Sequence, residues 1–356
     1  MSNILLTPHT LGALELPNRI IMAPMTRNRA DENGIPHPAA ASYYAQRASA
    51  GLIISEANAI SRQGYGYEGS PGMWSAAHVE AWRGVTRAVH NKGGRIFAQL
   101  FHVGRISHPD LQPGNELPIS ASAIAAGSLD GTYDGAHSIV IPRALETYEL
   151  AGIVEQFKVA ASNALEAGFD GVEIHGANGY LLDQFLQDVT NQRQDAYGKN
   201  RSRLLIEVVA AVCQIWNADR VGVRISPSRK GNGMGDSDPA TTFHNLAKEL
   251  SKTGIAYLHI VEPHSSESSI PESGVPASSF RAHFSGTIIA NGGYEPESAR
   301  ETVSTKNIDL IAFARWYISN PDLVERIQAL SPLTEVNDDT VYGGDERGYT
   351  DYAPMD

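Results

Sequence analysis

Eight short apolar runs recur along this chain, and each is followed by a segment with helical periodicity. The runs are rich in branched residues and mostly continuous rather than alternating, which is typical of parallel strands covered by helices. They lie at residues 19–25, 51–58, 94–101, 169–176, 220–227, 255–262, 286–293 and 308–315. The pattern therefore predicts eight parallel strands.

The segments between these runs carry helix signals. In residues 148–168, apolar side chains fall on one stripe of a helix, which Gly168 ends. Further helices are predicted near 36–50, 77–92, 201–217, 239–253, 276–284, 295–304 and 320–330. This alternation predicts an α/β fold, a (β/α)8 TIM barrel that forms a single domain over residues 1–356. A doubly wound sheet is the structural alternative. It is less favoured, because the chain has eight strand–helix units and no dinucleotide-binding fingerprint.

One interval is too long for a simple connection. Residues 102–146, between the third and fourth strands, are rich in Gly, Ser, Ala and Pro and contain "DGTYDG", which holds two turn signals. We expect a long excursion with a small hairpin that lies over one end of the barrel. The nearby "GYGYEG" (64–69) has the letters of a nucleotide-binding loop, but no helix opens after it, so that role is not assigned.

Charge and cysteine content exclude several classes of protein. The net charge of −12 and the lack of a basic stripe exclude nucleic acid as a partner. No apolar run approaches the roughly 18 residues of a membrane span, and the N-terminus lacks the pattern of a signal peptide. We therefore expect a cytoplasmic protein without a membrane partner. The one cysteine, Cys213, is predicted to pack in the core, and a lone thiol excludes disulfides, Cys-based zinc sites and iron–sulfur clusters.

Several side chains with hydrogen-bonding capacity fall at the carboxyl ends of the predicted strands, where barrels of this kind build their sites. The residues at these ends are Thr26, Glu56, Ala57, Gln99, His175, Asn178, Tyr180, Arg224, Asn291 and Arg315. Each alone has a structural explanation, such as helix capping by Asn178 or a barrel-filling pair of Gln99 with Arg224. Their shared position at one end of the barrel favours a common site.

The ends of the seventh and eighth strands have the features of a phosphate site. Gly292 and Gly293 allow backbone N–H groups to approach a phosphate, and Arg315 can bind it through two nitrogens. Arg224 supplies a fixed positive charge, and Gln99 offers a donor and an acceptor to an amide-like ring edge. These groups suit flavin mononucleotide (FMN), whose pyrimidine edge offers both kinds of partner and gains negative charge on reduction.

Motifs along nearly the whole chain point to one family. They include "MAPMTRNRA", "YYAQRASAGLIISEA", "AQLFHVGRISHP", "AGFDGVEIHGANGYLLDQFL", "NQRQDAYG" and "YGGDERGYTDY". Together they resemble the old yellow enzyme family of flavin-dependent ene-reductases, and most closely its N-ethylmaleimide, morphinone and nitrate-ester reductase branch. The His-x-x-Asn-x-Tyr element after the fourth strand is highly specific to that family.

The resemblance implies an enzyme that uses NADPH or NADH to reduce the C=C bond of α,β-unsaturated carbonyl or nitro compounds. His175 and Asn178 would bind the substrate oxygen, Tyr180 would protonate the α carbon, and hydride from FMN N5 would reach the β carbon. Noncovalent FMN would be bound by Pro24, Thr26, Ala57, Gln99, Arg224, Gly292, Gly293, Ala314 and Arg315. The substrate would also meet Tyr67, Phe101 and Tyr342.

Some positions depart from the commoner pattern of that family. Asn178 stands where many bacterial relatives have a second His, and Phe101 replaces a Trp that often lines the pocket. Ala314 precedes Arg315 where Gly is typical, and the loop at 195–203 is shorter than usual. None of these changes removes a group with a catalytic role.

Three other classes are weighed against this interpretation. A dienoyl-CoA reductase type would share the barrel but needs several cysteines for its iron–sulfur cluster. A flavin-free phosphate-binding barrel, an isomerase or aldolase, would need a catalytic Lys or a carboxylate pair at the strand ends. Glu56, Glu173 and Glu262 are the candidates, and two-residue alternation places Glu173 beneath the site. A non-catalytic flavin carrier would not require Tyr180. The physiological substrate, the nicotinamide preference and the oligomeric state, a monomer included, are left open.

Overall fold

Parallel strands form a closed barrel in the computed structural model, which describes residues 3–263 and 274–355. In chain order the barrel strands are β1 (Ile20–Met22), β2 (Leu52–Ala59), β3 (Ile96–Phe101), β4 (Gly171–Gly176), β5 (Val221–Ile225), β6 (Tyr257–Val261), β7 (Thr287–Asn291) and β8 (Leu310–Phe313). Each pairs with the next along the chain, and β8 pairs with β1 to close the ring. The predicted (β/α)8 barrel is confirmed.

Helices follow most of the strands. They are α1 (Ala40–Ala45), α2 (Ala76–His90), α3 (Leu150–Glu166), α4 (Leu181–Leu186), α5 (Ala196–Lys199), α6 (Arg203–Val212), α7 (Pro239–Ser251), α8 (Pro296–Ser304), α9 (Arg315–Ser319) and α10 (Leu323–Ala329). In α3 most of the predicted stripe is buried, including Ile153 and Phe157, but Leu165 at its end is 48% exposed. Among the described residues, no helix combines the length and the apolar character needed to cross a membrane.

Several predicted elements are shorter in the structure, and local chemistry explains two of them. Strand β1 ends before Pro24, which has no N–H to continue a ladder. Strand β8 ends at Phe313 because Ala314 leaves the extended conformation, at φ −100° and ψ −83°, and α9 begins at the next residue. The predicted helix at 276–284 is a 3-10 helix, Ala277–Ala282. The helices predicted at 36–50 and 201–217 shorten to α1 and α6.

The interior of the barrel changes from apolar to polar along its axis. At the amino end, a hairpin of His9–Leu11 and Leu14–Leu16 closes the barrel and packs Leu11 and Leu16 against the inward side chains of the strands. Towards the carboxyl end, positions that lie in register on neighbouring strands carry polar side chains. Gln99 on β3 is in register with Glu173 on β4, and Arg224 on β5 is in register with both His175 on β4 and His259 on β6. The barrel therefore presents a polar floor to whatever binds above it.

The excursion between β3 and β4 lies over the carboxyl end of the barrel, as predicted. Its short strands Ile119–Ser120 and Arg143–Ala144 pair with each other, and an antiparallel bridge from Thr132 to Ser138 forms the small hairpin. The hydroxyl of Tyr133, on that hairpin, donates to the carbonyl of Gly66 at 2.8 Å. The excursion thus covers the loop that carries Tyr67.

Candidate active site

His175, Asn178 and Tyr180 lie at the corner between β4 and α4. His175 is the penultimate residue of β4, and Tyr180 immediately precedes α4. Asn178 (φ 61°) and Gly179 (φ 82°) are both left-handed, which reverses the chain within two residues. Asn is one of the few residues with a side chain that adopts this conformation readily, and Gly adopts it without steric penalty.

The corner is held by a buried carboxyl group rather than by the side chains of the trio. Asp183 accepts from the backbone N–H of Gly179 at 2.9 Å and from the Ser226 hydroxyl at 3.2 Å. The Ser226 hydroxyl in turn accepts from the backbone N–H of Asn178 at 2.7 Å. Burial raises the pKa of Asp183 to about 6. This network keeps the Asn178 and Tyr180 side chains available for another role.

The structure gives no support to a capping role for the trio. Within the described ranges, Tyr180 makes no side-chain capping bond to α4. The Oδ1 atom of Asn178 and the Nδ1 atom of His175 are buried, and neither finds a hydrogen-bond partner in the described part of the chain. Buried polar atoms are nearly always paired, so these two atoms suggest a bound ligand.

Aromatic rings surround His175 and Tyr180. The Tyr180 ring lies edge-on to Phe101 at 5.4 Å and to His175 at 5.1 Å between ring centroids. The Tyr180 hydroxyl donates to the hydroxyl of Tyr67 at 3.3 Å, and the ring of Tyr133 lies edge-on to Tyr67. We call Tyr67, Phe101, His175, Asn178 and Tyr180 the reactive corner.

Burial keeps the three ionisable groups of this corner, His175, Tyr180 and Tyr67, neutral. Desolvation, followed by the positive charge of Arg224, holds the pKa of His175 well below its usual value. Desolvation raises the pKa of Tyr180, although the hydrogen bond with Tyr67 opposes the shift. A neutral imidazole retains one N–H donor, and a protonated phenol retains its O–H. The corner is therefore equipped to donate hydrogen bonds and a proton near neutral pH.

A cavity of about 720 Å³ extends from Asn178 and Arg224 to the loops after β7 and β8. Its far end, which we call the phosphate end, consists of Gly292, Gly293, Ala314 and Arg315. A Cβ added to Gly292 would lie 2.9 Å from the Cβ and carbonyl oxygen of Glu262, so only glycine fits there. Arg315 is exposed and pairs with Asp338 at 2.6 Å.

The interior end of the cavity contains a buried cation. The Nη2 atom of Arg224 donates to Asn291 Oδ1 at 2.7 Å, whereas its buried Nε atom has no partner among the residues described. The alternative interpretation, in which Gln99 and Arg224 pair with each other to fill the barrel, is wrong. The Nε2 atom of Gln99 donates to Glu173 at 2.6 Å instead. An unpaired guanidinium N–H at one end and an exposed Arg315 at the other fit the ring edge and the phosphate of FMN.

Four predicted FMN-binding residues, Gln99 among them, lie at the same end of the barrel but do not line this cavity. Pro24 is buried just beyond β1, and Ala57 pairs in register with Gln99. Thr26 is half-buried, and its neighbour Arg27 donates a backbone N–H to Glu56 at 3.1 Å. These residues are close to the cavity only in the sense that their strands end at the same side of the barrel.

Tyr342 reaches the site from the C-terminal segment. Arg27 holds this segment, since its Nε atom donates to the Val341 carbonyl and its own carbonyl accepts from Gly343, both at 2.9 Å. Tyr342 is 66% exposed, and it lies close enough to Tyr180 for the two phenols to interact electrostatically. The predicted substrate contact of Tyr342 is therefore compatible with its position.

Sequence patterns alone missed three residues around the site. Arg229 follows β5 and lines the cavity. A basic residue so close to the end of a predicted strand could have indicated that it belongs to the site. Asp183 is a carboxyl group inside the apolar "LLDQFL", which was a sign of a buried anchor. His259 lies two residues after Tyr257, so strand alternation placed it inside the barrel.

Comparisons with known proteins agree with this geometry. The model of the NADH:flavin oxidoreductase / NADH oxidase family matches residues 4–333. The chain is 44% identical to putative 12-oxophytodienoate reductase 11 of Oryza sativa subsp. japonica, over 98% of this chain and 96% of that protein. It is 41% identical to 12-oxophytodienoate reductase 2 of Arabidopsis thaliana, over 99% and 96%.

Solved structures are equally similar. Morphinone reductase matches with a TM-score of 0.94 and 44% identity, over 99% of this chain and 97% of that one. The old yellow enzyme homologue from Zymomonas mobilis matches with a TM-score of 0.94 and 42% identity, over 99% of each chain. The similarity thus covers the barrel and its loops together.

Proposed function

Because the chain belongs to the NADH:flavin oxidoreductase / NADH oxidase family, that of the old yellow enzymes, we propose that it is an NAD(P)H-dependent ene-reductase for α,β-unsaturated carbonyl or nitro compounds. The family, the FMN cofactor and the nicotinamide reductant agree with the sequence predictions. The observation that carries the proposal is the reactive corner, where the neutral His175 and Tyr180 lie beside Asn178, which lines the same cavity as Arg224.

FMN would be held along the whole cavity. Its phosphate would be bound at the phosphate end, and its ring edge by Gln99 and Arg224. Pro24, Thr26 and Ala57 would contact it from β1 and β2. When bound and reduced by NAD(P)H, FMN supplies the hydride that is added to the β carbon of the substrate.

His175 and Asn178 would bind the carbonyl or nitro oxygen of the substrate. Hydride addition places negative charge on that oxygen, and preorganised donors stabilise the charge as it forms. A neutral His175 serves this purpose through its N–H, and the Asn178 amide donates whether or not a second His is present. Each such donor contributes about 10²–10³ in rate.

Tyr180 would supply the proton to the α carbon. Its raised pKa keeps the proton on the phenol until negative charge develops on the substrate. The Tyr67 hydroxyl, 3.3 Å away, can rotate to donate to the Tyr180 oxygen once that oxygen has lost its proton. Tyr67, Phe101 and Tyr342 would shape the space for the substrate.

A flavin-free isomerase or aldolase is not favoured, because the three candidate carboxylates are engaged elsewhere. Glu56 accepts from the backbone of Arg27, and Glu173 is fully buried. Glu262 accepts from the backbone of Ala277 and from the Tyr294 hydroxyl. We further propose that residues 1–356 act as one FMN-binding domain, since β1 and β8 from opposite ends of the chain pair directly. The cytoplasmic location stays a proposal from the sequence.

The purified protein should be yellow, and heat release should yield FMN. Under anaerobic conditions it should reduce cyclohexenone to cyclohexanone with NADPH or NADH. Deuterium from labelled nicotinamide should appear at the β carbon, and deuterium from D₂O at the α carbon. Recovery of FAD, or failure of both nicotinamides to reduce the bound flavin, would contradict the proposal.

A further inference from the structure

A buried network beneath Gln99 and Arg224 has no role in the chemistry described so far. Glu173, Tyr257 and His259 are 0% exposed, and Gln99 is 1% exposed. One carboxyl oxygen of Glu173 accepts from Gln99 Nε2 at 2.6 Å, and the other accepts from His259 Nδ1 at 2.8 Å. A carboxyl group in such a place is strongly destabilising unless it is paired and hydrogen-bonded.

The surroundings of Glu173 favour its ionised form. Burial alone would raise the pKa of Glu173, but His259, Arg224 and Gln99 together outweigh burial and lower it. Gly222 makes room for the Tyr257 ring, because a Cβ there would lie 2.0 Å from that ring. The barrel interior thus holds one carboxylate directly below the cation that faces the cavity.

An ionised Glu173 determines how the Gln99 amide is oriented. A carboxylate only accepts hydrogen bonds, so the amide nitrogen of Gln99 must face it. The reverse orientation would bring two oxygens within 2.6 Å of each other. The amide oxygen of Gln99 is then directed away from Glu173, and no donor from the described ranges contacts it.

We propose that Glu173 is a positioning residue for the flavin: it presents the amide oxygen of Gln99 to an N–H of the ring edge and offsets the charge of Arg224. The proposal rests on FMN binding as described under the proposed function. An acceptor at the ring edge and a nearby negative charge both disfavour the additional negative charge of reduced flavin. Glu173 therefore keeps the reduction potential of the bound FMN low, which favours hydride donation.

The substitution Glu173→Gln tests this directly, because it removes the charge at constant shape. Its amide can donate as well as accept, so Gln99 is free to reverse. The ratio of the affinities for reduced and oxidised FMN should rise about tenfold, which corresponds to about 30 mV for a two-electron couple. The measurement is a potentiometric titration with a reference dye. Glu207→Gln, which removes a carboxylate bonded to Tyr197 and Arg203 on the outside of the barrel, is the control and should leave the potential unchanged.

A double-mutant cycle separates positioning from general disturbance. Gln99→Leu is combined with Glu173→Gln, and the shifts in potential should be non-additive, because part of the effect of Glu173 passes through Gln99. Glu173→Asp, which keeps the charge but shortens the reach, should give a smaller rise and serves if Glu173→Gln does not fold. An unchanged potential in a folded, FMN-bound Glu173 variant, or an equal shift in the control, would overturn the proposal.

Failure of the proposed function would look different. The wild-type protein would then lack FMN or fail to reduce cyclohexenone. A protein without FMN would end both ideas. With FMN bound, the potential shift in Glu173→Gln does not depend on alkene reduction, so the Glu173 proposal and the alkene reduction can each fail while the other stands.

Discussion

The reactive corner and the phosphate end adjoin the same cavity, but they are built on opposite principles. The corner is packed: Phe101 and His175 are buried at 1% and 3% exposure, and its pKa values are shifted by desolvation. The phosphate end is open, with the Arg315 side chain 60% exposed and paired with Asp338, which is 73% exposed. It relies on glycine backbone and an exposed cation rather than on buried side chains.

The contrast follows from what each end must do. A donor that stabilises a developing charge acts most strongly where water is excluded and the donor does not have to reorganise. A phosphate carries its charge permanently, so an exposed arginine and accessible backbone N–H groups are sufficient to bind it. We therefore expect substitutions in the corner to affect catalysis and substitutions at the phosphate end to affect retention of the cofactor.

The largest expected effect is that of Tyr180→Phe. Reoxidation of reduced flavin by cyclohexenone should slow by about 10²–10⁴, because general acid catalysis contributes that much. Reduction of the flavin by nicotinamide should hardly change, since it requires no proton from Tyr180. Stopped-flow measurement of the two half-reactions checks this. Tyr148→Phe, at a side chain that is 82% exposed, is the control, and equal losses in both half-reactions would indicate a disturbed fold.

The next effect concerns the two proposed oxyanion donors. His175→Ala and Asn178→Ala should each lower kcat/KM for cyclohexenone by about 10²–10³ per bound flavin, since each removes one preorganised donor. FMN occupancy, read from flavin absorbance, should be retained. His244→Ala on α7 provides a comparison far from the cavity. Loss of FMN or of stability with undiminished turnover would return these residues to a structural role.

A smaller effect should come from Asp183, the anchor of the corner. Its folded pKa of about 6 lies above the ordinary value of 3.8, so the stability it contributes is complete below about pH 4 and is lost as the pH rises through 6. Relative to Asp183→Asn, the wild type should lose on the order of 2 kcal/mol of unfolding free energy between pH 4 and 7, at about 1.4 kcal/mol per pKa unit. Urea unfolding at several pH values measures this. A constant difference would show that Asp183 does not titrate in this window.

The smallest effect is expected at the phosphate end. Arg315→Ala should weaken FMN binding about tenfold. This corresponds to the lower end of the free energies of hydrogen bonds to charged groups, which we expect because the site is exposed to water. Turnover per bound flavin should be unchanged, in contrast to the corner variants. Equilibrium dialysis against FMN gives the affinity, with Arg300→Ala as the control because Arg300 is also an exposed partner of an acid. A loss of turnover at full occupancy would remove the distinction between the two ends.

The sequence was sufficient for the parts of this protein that depend on local periodicity. Continuous apolar runs identified the barrel strands, and two-residue alternation placed Glu173 on the same inward face as His175, as the structure has it. The strand-to-helix corner was also recognisable, from a strand run followed by the His-x-x-Asn-x-Tyr element, and the structure turns the chain there through the left-handed Asn178 and Gly179. Roles for these residues came from the family motif and stay predictions.

Contacts between strands were decided by the tertiary structure. Gln99 and Arg224 share an end of the barrel, yet Gln99 pairs with Glu173 on the adjacent strand, and Arg224 reaches Asn291 on β7. Which of several inward side chains meet depends on the strand register and on the tilt imposed by closing the barrel. Hydrogen bonds with Arg27 likewise hold the segment that carries Tyr342, from the far end of the chain, beside the start of the barrel. Local periodicity determines the face on which a side chain lies, whereas its partner depends on the relative positions of distant segments.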